Sequence, residues 1–239
     1  MVAGGQGAGT IDKVEIIDLI DSLKENVVYV DKSMERIKAF GGLLQNLPLV
    51  GGGCSSQDLT RVFRDFKILG QPDASFQTLD TCYASSFVII DQTKIYVTGG
   101  FRRKSTEILS LDQPPVKGPE LSFMIQGHSM IQVDPKTIYL IGGMQHSDAC
   151  PETWIIDPMN NFDIKSGLTL NEARMWHSCK KMKINQKIYL VVVGGWGNHG
   201  ILDSVELLDT TSANQGWIKG MNSFYILNLH IVNISYYLP

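Results

Sequence analysis

An all-β fold built from repeated small sheets is predicted for this chain by three observations. Its 23 glycines are spread through all 239 residues. Its β-branched and aromatic residues gather into short runs, such as Lys94-Ile95-Tyr96-Val97 and Ile188-Tyr189-Leu190-Val191-Val192-Val193, the composition of strands rather than helices. Apolar runs ending in paired glycines also recur along the chain at one spacing.

The pairs stand at Gly4-Gly5, Gly51-Gly52, Gly99-Gly100, Gly142-Gly143 and Gly194-Gly195, each behind an apolar run. Their second glycines lie at 5, 52, 100, 143 and 195, so 190 residues hold four intervals with a mean of 47.5. A period near 50 belongs to propeller blades, whereas helical solenoid repeats are mostly shorter. A glycine pair alone is weak evidence, and recurrence at one period behind a β-rich run is what gives it weight.

A second segment follows each pair. Val14-Glu15-Ile16-Ile17-Asp18 and Val205-Glu206-Leu207-Leu208-Asp209 share an acidic residue, two aliphatics and an aspartate, and begin 9 and 10 residues after the second glycine. Thr106-Glu107-Ile108-Leu109 is a looser copy, and Thr153-Trp154-Ile155-Ile156-Asp157 has Trp154 in the glutamate's place. In the second unit the corresponding segment is read at Arg61-Val62-Phe63-Arg64, which has no acidic residue. Two pairs are preceded by Gly127-His128-Ser129 and Arg174-Met175-Trp176-His177-Ser178, and Trp217 follows the last acidic segment, with Phe162 as its stand-in one unit earlier. Each unit therefore reads as four short strands with a tight glycine turn after the second. The approximate unit boundaries are 1–36, 37–79, 80–123, 124–172 and 173–221, followed by an atypical tail, 222–239.

These residues resemble the kelch repeat, whose hallmarks are a glycine pair after an apolar strand, an acidic residue in the next strand and a tryptophan opening the outer strand. The resemblance covers nearly the whole chain to Met221 and is fullest from Thr93 onward, where Arg174, His177, Gly194, Gly195, Glu206, Asp209 and Trp217 supply the pattern. It implies a β-propeller of about five four-stranded blades. Two architectures satisfy the count: a five-bladed ring closed by the tail, in which Leu229-His230-Ile231-Val232-Asn233-Ile234 alternates like a strand, or an incomplete array cut from a six-bladed propeller. The second is favoured because Met1 falls on the second strand of a blade.

The repeat signature is expected to be structural. Glycine pairs let the backbone turn where a Cβ would clash. His128, His177, Glu15, Glu107 and Glu206 are expected to tie strands to neighbouring backbone, since equivalent residues in several blades do not converge on one substrate atom.

Composition narrows the function. Twenty-one basic and 24 acidic residues leave a formal charge of -3, which offers no electrostatic footprint for nucleic acid or an anionic membrane. No apolar stretch approaches the roughly 20 residues that cross a bilayer, and the first ten residues lack a signal peptide's basic and apolar regions. Cys54, Cys82, Cys150 and Cys179 form no CxxC, so a zinc site is not expected and reduced thiols in the cytoplasm are. By the same reasoning the sequon Asn233-Ile234-Ser235 is expected to stay unglycosylated.

The resemblance implies a protein or peptide partner, as in the substrate-recognition part of a ubiquitin-ligase adaptor; a cytoskeletal, actin-type or self-associating scaffold is the alternative. The N-terminal dimerisation and ligase-binding segments that such adaptors carry are not found in this sequence. Binding residues are expected on loops held by a rigid scaffold, here those following the glycine pairs: Phe101, Arg102, Arg103, Gln145, His146, Trp196, Asn198 and His199. No catalytic residue, cofactor or metal is expected. A copper oxidase of galactose-oxidase type, known among kelch-like propellers, needs clustered tyrosine and histidine ligands, and the histidines at 128, 146, 177, 199 and 230 are scattered.

Overall fold

A computed structural model describes residues 2–3, 13–16, 27–30, 36–37, 40–44, 47–55, 65–68, 75–80, 83–91, 93–184, 186–212 and 215–220. Every regular element among them is a β-strand. Chain order begins with β1 (Val2–Ala3), β2 (Lys13–Ile16), β3 (Val27–Val30) and β4 (Arg36–Ile37), and continues with β5 (Phe40–Leu44), β6 (Leu47–Gly51), β7 (Cys54–Ser55), β8 (Asp65–Ile68) and β9 (Ser75–Gln77). Then come β10 (Ser86–Asp91), β11 (Lys94–Thr98), β12 (Thr106–Ser110), β13 (Val116–Lys117), β14 (Ser129–Asp134), β15 (Thr137–Ile141), β16 (Met144–Gln145), β17 (Asp148–Ala149), β18 (Thr153–Asp157) and β19 (Asp163–Ser166). The last are β20 (Ser178–Ile184), β21 (Lys187–Val193), β22 (Trp196–Gly197), β23 (Gly200–Ile201), β24 (Val205–Asp209) and β25 (Ile218–Lys219).

These strands make a three-stranded sheet, β1-β2-β3, and four four-stranded antiparallel sheets, β5-β6-β8-β9, β10-β11-β12-β13, β14-β15-β18-β19 and β20-β21-β24-β25. Two small hairpins, β16-β17 and β22-β23, extend the loops between second and third strands, and a third ladder, β4-β7, pairs the segment before β5 with the loop after β6. The sheets lie side by side with their first strands adjacent: β1 beside β5, β5 beside β10, β10 beside β14 and β14 beside β20.

The core lies between sheets, which explains why the second strands read as unbroken apolar runs. Ile95 and Val97 of β11 pack with Leu49, Phe66 and Phe76 of the preceding sheet. Tyr96, between them in sequence, faces the other way and packs with Ile138, Leu140 and Phe162 of the following one. One sheet further on, Ile138 and Leu140 look back while Tyr139 and Ile141 pack with Leu190, Val192 and Trp217. A strand covered on both faces needs apolar residues at consecutive positions, and each such side chain contributes about 1.5–3 kcal/mol on full burial.

Aspartates close the turns. Asp91 Oδ1 accepts from the Thr93 N–H at 2.7 Å, Asp134 from Lys136 at 2.8 Å, Asp157 from Met159 at 2.9 Å and Asp209 from Thr211 at 2.9 Å. These local carboxylate-to-amide bonds are the reason an aspartate ends so many strands.

The second unit differs from its sequence reading in two places. Gly51 is the last residue of β6, paired with Phe40 and Phe66, and the positive-φ pair is Gly52-Gly53, at 65° and 84°. A Cβ on Gly51 would meet the Phe66 ring at 2.5 Å, so this glycine makes room for an aromatic rather than a turn. The third strand is β8, not the segment 61–64, and Lys67 of β8 faces Val50 where Glu107 faces Val97 in the next sheet. Gly4, Gly5 and the tail 222–239 lie outside the described residues; Glu15 lies in β2, opposite Val2. No helix among the described residues is long and apolar enough to cross a membrane.

Candidate binding face at the glycine-pair loops

The loops that follow second strands and those that lead into first strands meet at one end of the sheets, where backbone bonds interlock successive units. The Gly100 N–H donates to the Ile125 carbonyl at 2.8 Å, and Ile125 N–H donates to Arg103 at 3.1 Å. One unit on, Gly143 N–H donates to the Arg174 carbonyl at 2.8 Å. Gly99, Gly142 and Gly194 hold φ of 61°, 53° and 62°, and their successors Gly100, Gly143 and Gly195 hold 118°, 110° and 97°. The pairs also sit against histidines. A Cβ on Gly99 would lie 3.0 Å from His128 Cε1, and one on Gly142 2.9 Å from His177 Cε1 and 2.6 Å from the Arg174 carbonyl.

Both histidines are buried, and burial pushes each down to about 3. His128 Nε2 is 2.7 Å from Thr98 Oγ1. Ile141, which precedes its glycine pair as Thr98 does, offers His177 no such hydroxyl, and neither His177 ring nitrogen has a hydrogen-bond partner within the described geometry. Neutral buried imidazoles of this kind serve packing and are poorly placed for proton transfer near neutral pH.

The acidic residues make the ties between units. Glu107 accepts from the backbone N–H groups of Leu79 and Asp80 at 2.7 and 2.8 Å. Glu206 accepts from those of Asn171 and Glu172 at 2.6 and 3.1 Å, and from Arg174 Nη2 at 2.9 Å. Neither Arg174 nor Glu206 is exposed at all; Arg174 also donates to the Gly194 carbonyl at 2.8 Å and to Ser204 Oγ at 3.0 Å. In the fourth sheet the tie is different in kind. Trp154, at the glutamate's place, stacks on Phe123 with centroids 4.3 Å apart, and Phe123 stands five residues before His128 as Glu172 does before His177. The outer-strand aromatics face the preceding sheet: Trp217 Nε1 donates to the Leu168 carbonyl at 2.8 Å, and Phe162 stacks on Tyr96 at 4.3 Å.

The eight candidate partner-binding residues all lie on this loop face and divide by what already holds them. Arg103 Nε donates to Asp80 at 2.8 Å. Asn198 bonds the Ala149 backbone in both directions, at 2.7 and 3.2 Å, and so ties the hairpin β22-β23 to β17. Gln145 is half-buried in β16 opposite Asp148. His146 and His199 are exposed at the tips of β16-β17 and β22-β23. Phe101 is 45% exposed, rests edge-on against Tyr83 and carries the Arg102 guanidinium 5.3 Å above its ring; Trp196 is 38% exposed.

Sequence reasoning passed over Leu79, Met124, Leu168 and Ile201, which are exposed on the same face. A strand-ended run marks the glycine-pair loop, but nothing comparable marks the loops leading into first strands, where Leu79, Met124 and Leu168 stand. Among the described residues no group of three or more His, Cys, Asp or Glu is arranged to hold a metal ion. No protein-family model matches the chain, and no curated protein matches it.

Proposed function

We propose that the chain is a kelch-type propeller module that binds a protein or peptide partner through its glycine-pair loops. The observation that carries the reading is where apolar surface is left over. Of the nine large hydrophobic side chains exposed among the described residues, six (Leu79, Phe101, Met124, Leu168, Trp196 and Ile201) belong to this one loop face. Exposed apolar groups gathered on one side of a rigid scaffold mark an interaction surface. The repeat pattern and the side-by-side sheets support the architecture, and the reading needs only neighbouring sheets, since each stretch of face is built between two of them.

The scaffold alternative is less favoured at the sheet edges. Outer strands β13 and β25 are two residues long, and β13, β19 and β25 each carry a lysine, Lys117, Lys165 and Lys219, the devices that block edge-to-edge association. The test is affinity capture from cell extract with the wild-type chain and a Phe101→Ala, Arg102→Ala, Trp196→Ala variant that leaves Arg103 and Asn198 in place. Binding proteins held by the wild type and lost by the variant, at equal thermal stability, are the expected result; identical captured sets would defeat the reading.

A further inference from the structure

We infer that Trp176 is the central anchor of this binding face, and that its occupant is an extended segment of a partner protein carrying a large apolar side chain between an acidic and a basic end. The inference rests on the binding-face reading above and adds a residue and a partner chemistry to it.

Ala84, Gly127 and Trp176 are equivalent positions in three successive sheets, each standing two residues before a first strand. All three have left-handed backbone, with φ of 60°, 62° and 56°. They are linked in series, the Gly127 N–H donating to Ala84 at 2.9 Å and the Trp176 N–H to Gly127 at 2.7 Å. Because the first strands are mutual neighbours, this series runs along the line on which the sheets converge. Gly127 holds this conformation without a Cβ penalty, Ala84 pays that penalty with the smallest side chain, and a bulky aromatic there is the more unusual choice. The Trp176 ring covers Gly127, so that a Cβ on Gly127 would meet Cδ2 and Cε2 at 2.9 Å, and yet Trp176 remains half-buried. Strain kept at a position where glycine serves the fold in the neighbouring unit points to a function for the side chain. Large aromatics at the middle of a face, ringed by less critical contacts, are the usual hot spots of interfaces. Met175, beside it, is bridged to the exposed Trp196 by backbone bonds of 2.9 and 2.8 Å.

Charge on the face sets the occupant's polarity. Arg103 and Lys104 are paired with Asp80 and Glu120, whereas Arg102 makes no ion pair among the described residues. In the next two units the loops carry the exposed Asp148 and Asp203, which make no ion pair among the described residues either. A segment laid across the convergence line therefore meets a guanidinium that rests on Phe101 without a carboxylate partner among the described residues on one side, and carboxylates without a cationic partner among them on the other, a complementarity that fixes direction more than affinity.

The test is selection of a random-peptide display library on the wild-type chain, followed by Kd measurement of a selected peptide. The expected peptides place a large apolar residue between acidic and basic residues. Trp176→Gly is expected to weaken binding by roughly tenfold or more while leaving the chain folded, since the relief of the left-handed backbone offsets the packing lost over Gly127. Trp176→Asn, which also tolerates that conformation, repeats the measurement if the glycine variant is less stable. Peptides that bind both Trp176 variants like the wild type but fail on the Phe101, Arg102, Trp196 variant overturn the anchor and leave the binding face standing. No selected peptide, or peptides indifferent to every variant, overturns both.

Discussion

Gly142 and Gly194 open the turns of successive units with nearly the same backbone, φ of 53° and 62°, but their surroundings differ. A Cβ on Gly142 would lie 2.6 Å from the Arg174 carbonyl, which is already the acceptor for Gly143, whereas on Gly194 the only near atom is the Leu202 carbonyl at 3.4 Å. Gly194→Ala is therefore expected to cost only the left-handed backbone term, about 1 kcal/mol. Gly142→Ala adds a clash with a bonded carbonyl and is expected to cost at least about 2 kcal/mol more, a difference that chemical denaturation of the two variants measures directly. The same distinction separates the glutamates. Glu206→Gln removes the nearer and wholly buried of the two carboxylates paired with the Arg174 guanidinium, leaving Glu172 at 3.3 Å, and is expected to cost roughly 3 kcal/mol. Glu107→Gln disturbs only the two amide bonds from Leu79 and Asp80 and is expected to cost roughly 1–2 kcal/mol; equal losses would show that the charge of Glu206 adds nothing to what Glu172 already gives Arg174.

Elements explain what could be read from residues alone and what could not. The all-β class was legible because a strand buried on both faces writes a continuous apolar run, as in Ile95-Tyr96-Val97, and because aspartates and glycines punctuate the turns. The glycine pair of the second unit is shifted by one residue because Gly51, Gly52 and Gly53 are identical letters with different work: one admits Phe66 and two bend the chain. The extra hairpins β16-β17 and β22-β23 left no apolar alternation to detect, being two residues a side. Of the candidate face, the glycine-pair loops were legible by position, but the engagement of Arg103 by Asp80 and of Asn198 by Ala149 depends on partners 23 and 49 residues away. Trp154 reads as a lapse from the glutamate pattern until Phe123 is seen stacked on it. That exchange is testable: Trp154→Glu restores a carboxylate opposite the Ser122 and Phe123 amides, by analogy with Glu206 and residues 171 and 172. It is expected to be more stable than Trp154→Ala by about 1 kcal/mol, and an equal or lower stability would mean that the fourth sheet no longer presents those amides as its neighbours do.

At the scale of the whole molecule, stability is tied to two buried imidazoles that stand where units meet. Burial holds His128 at about 3, and burial first, then the charges of Arg174 and His128, holds His177 at about 3. In the unfolded chain both titrate near the ordinary value, about 6.5. The unfolded state therefore takes up protons below about pH 6.5 while the folded state does not, so this contribution is complete above that pH and is lost progressively as pH falls towards 3. The carboxylates act in a separate, lower window. Glu172 is held below its ordinary range chiefly by its bond from Ser204, and Asp209 chiefly by Lys187, so their contributions persist until pH drops through the normal carboxylate region. Between about pH 6.5 and 4.5 the two histidines are thus expected to dominate, with a loss of roughly 1 kcal/mol per pH unit for each. Urea unfolding across that interval should show the decline, and His177→Leu should remove about half of its slope while the loss below pH 4 remains. A profile that is flat for the wild type, or unchanged in slope for the variant, would mean that the units open far enough for the imidazoles to be protonated without unfolding.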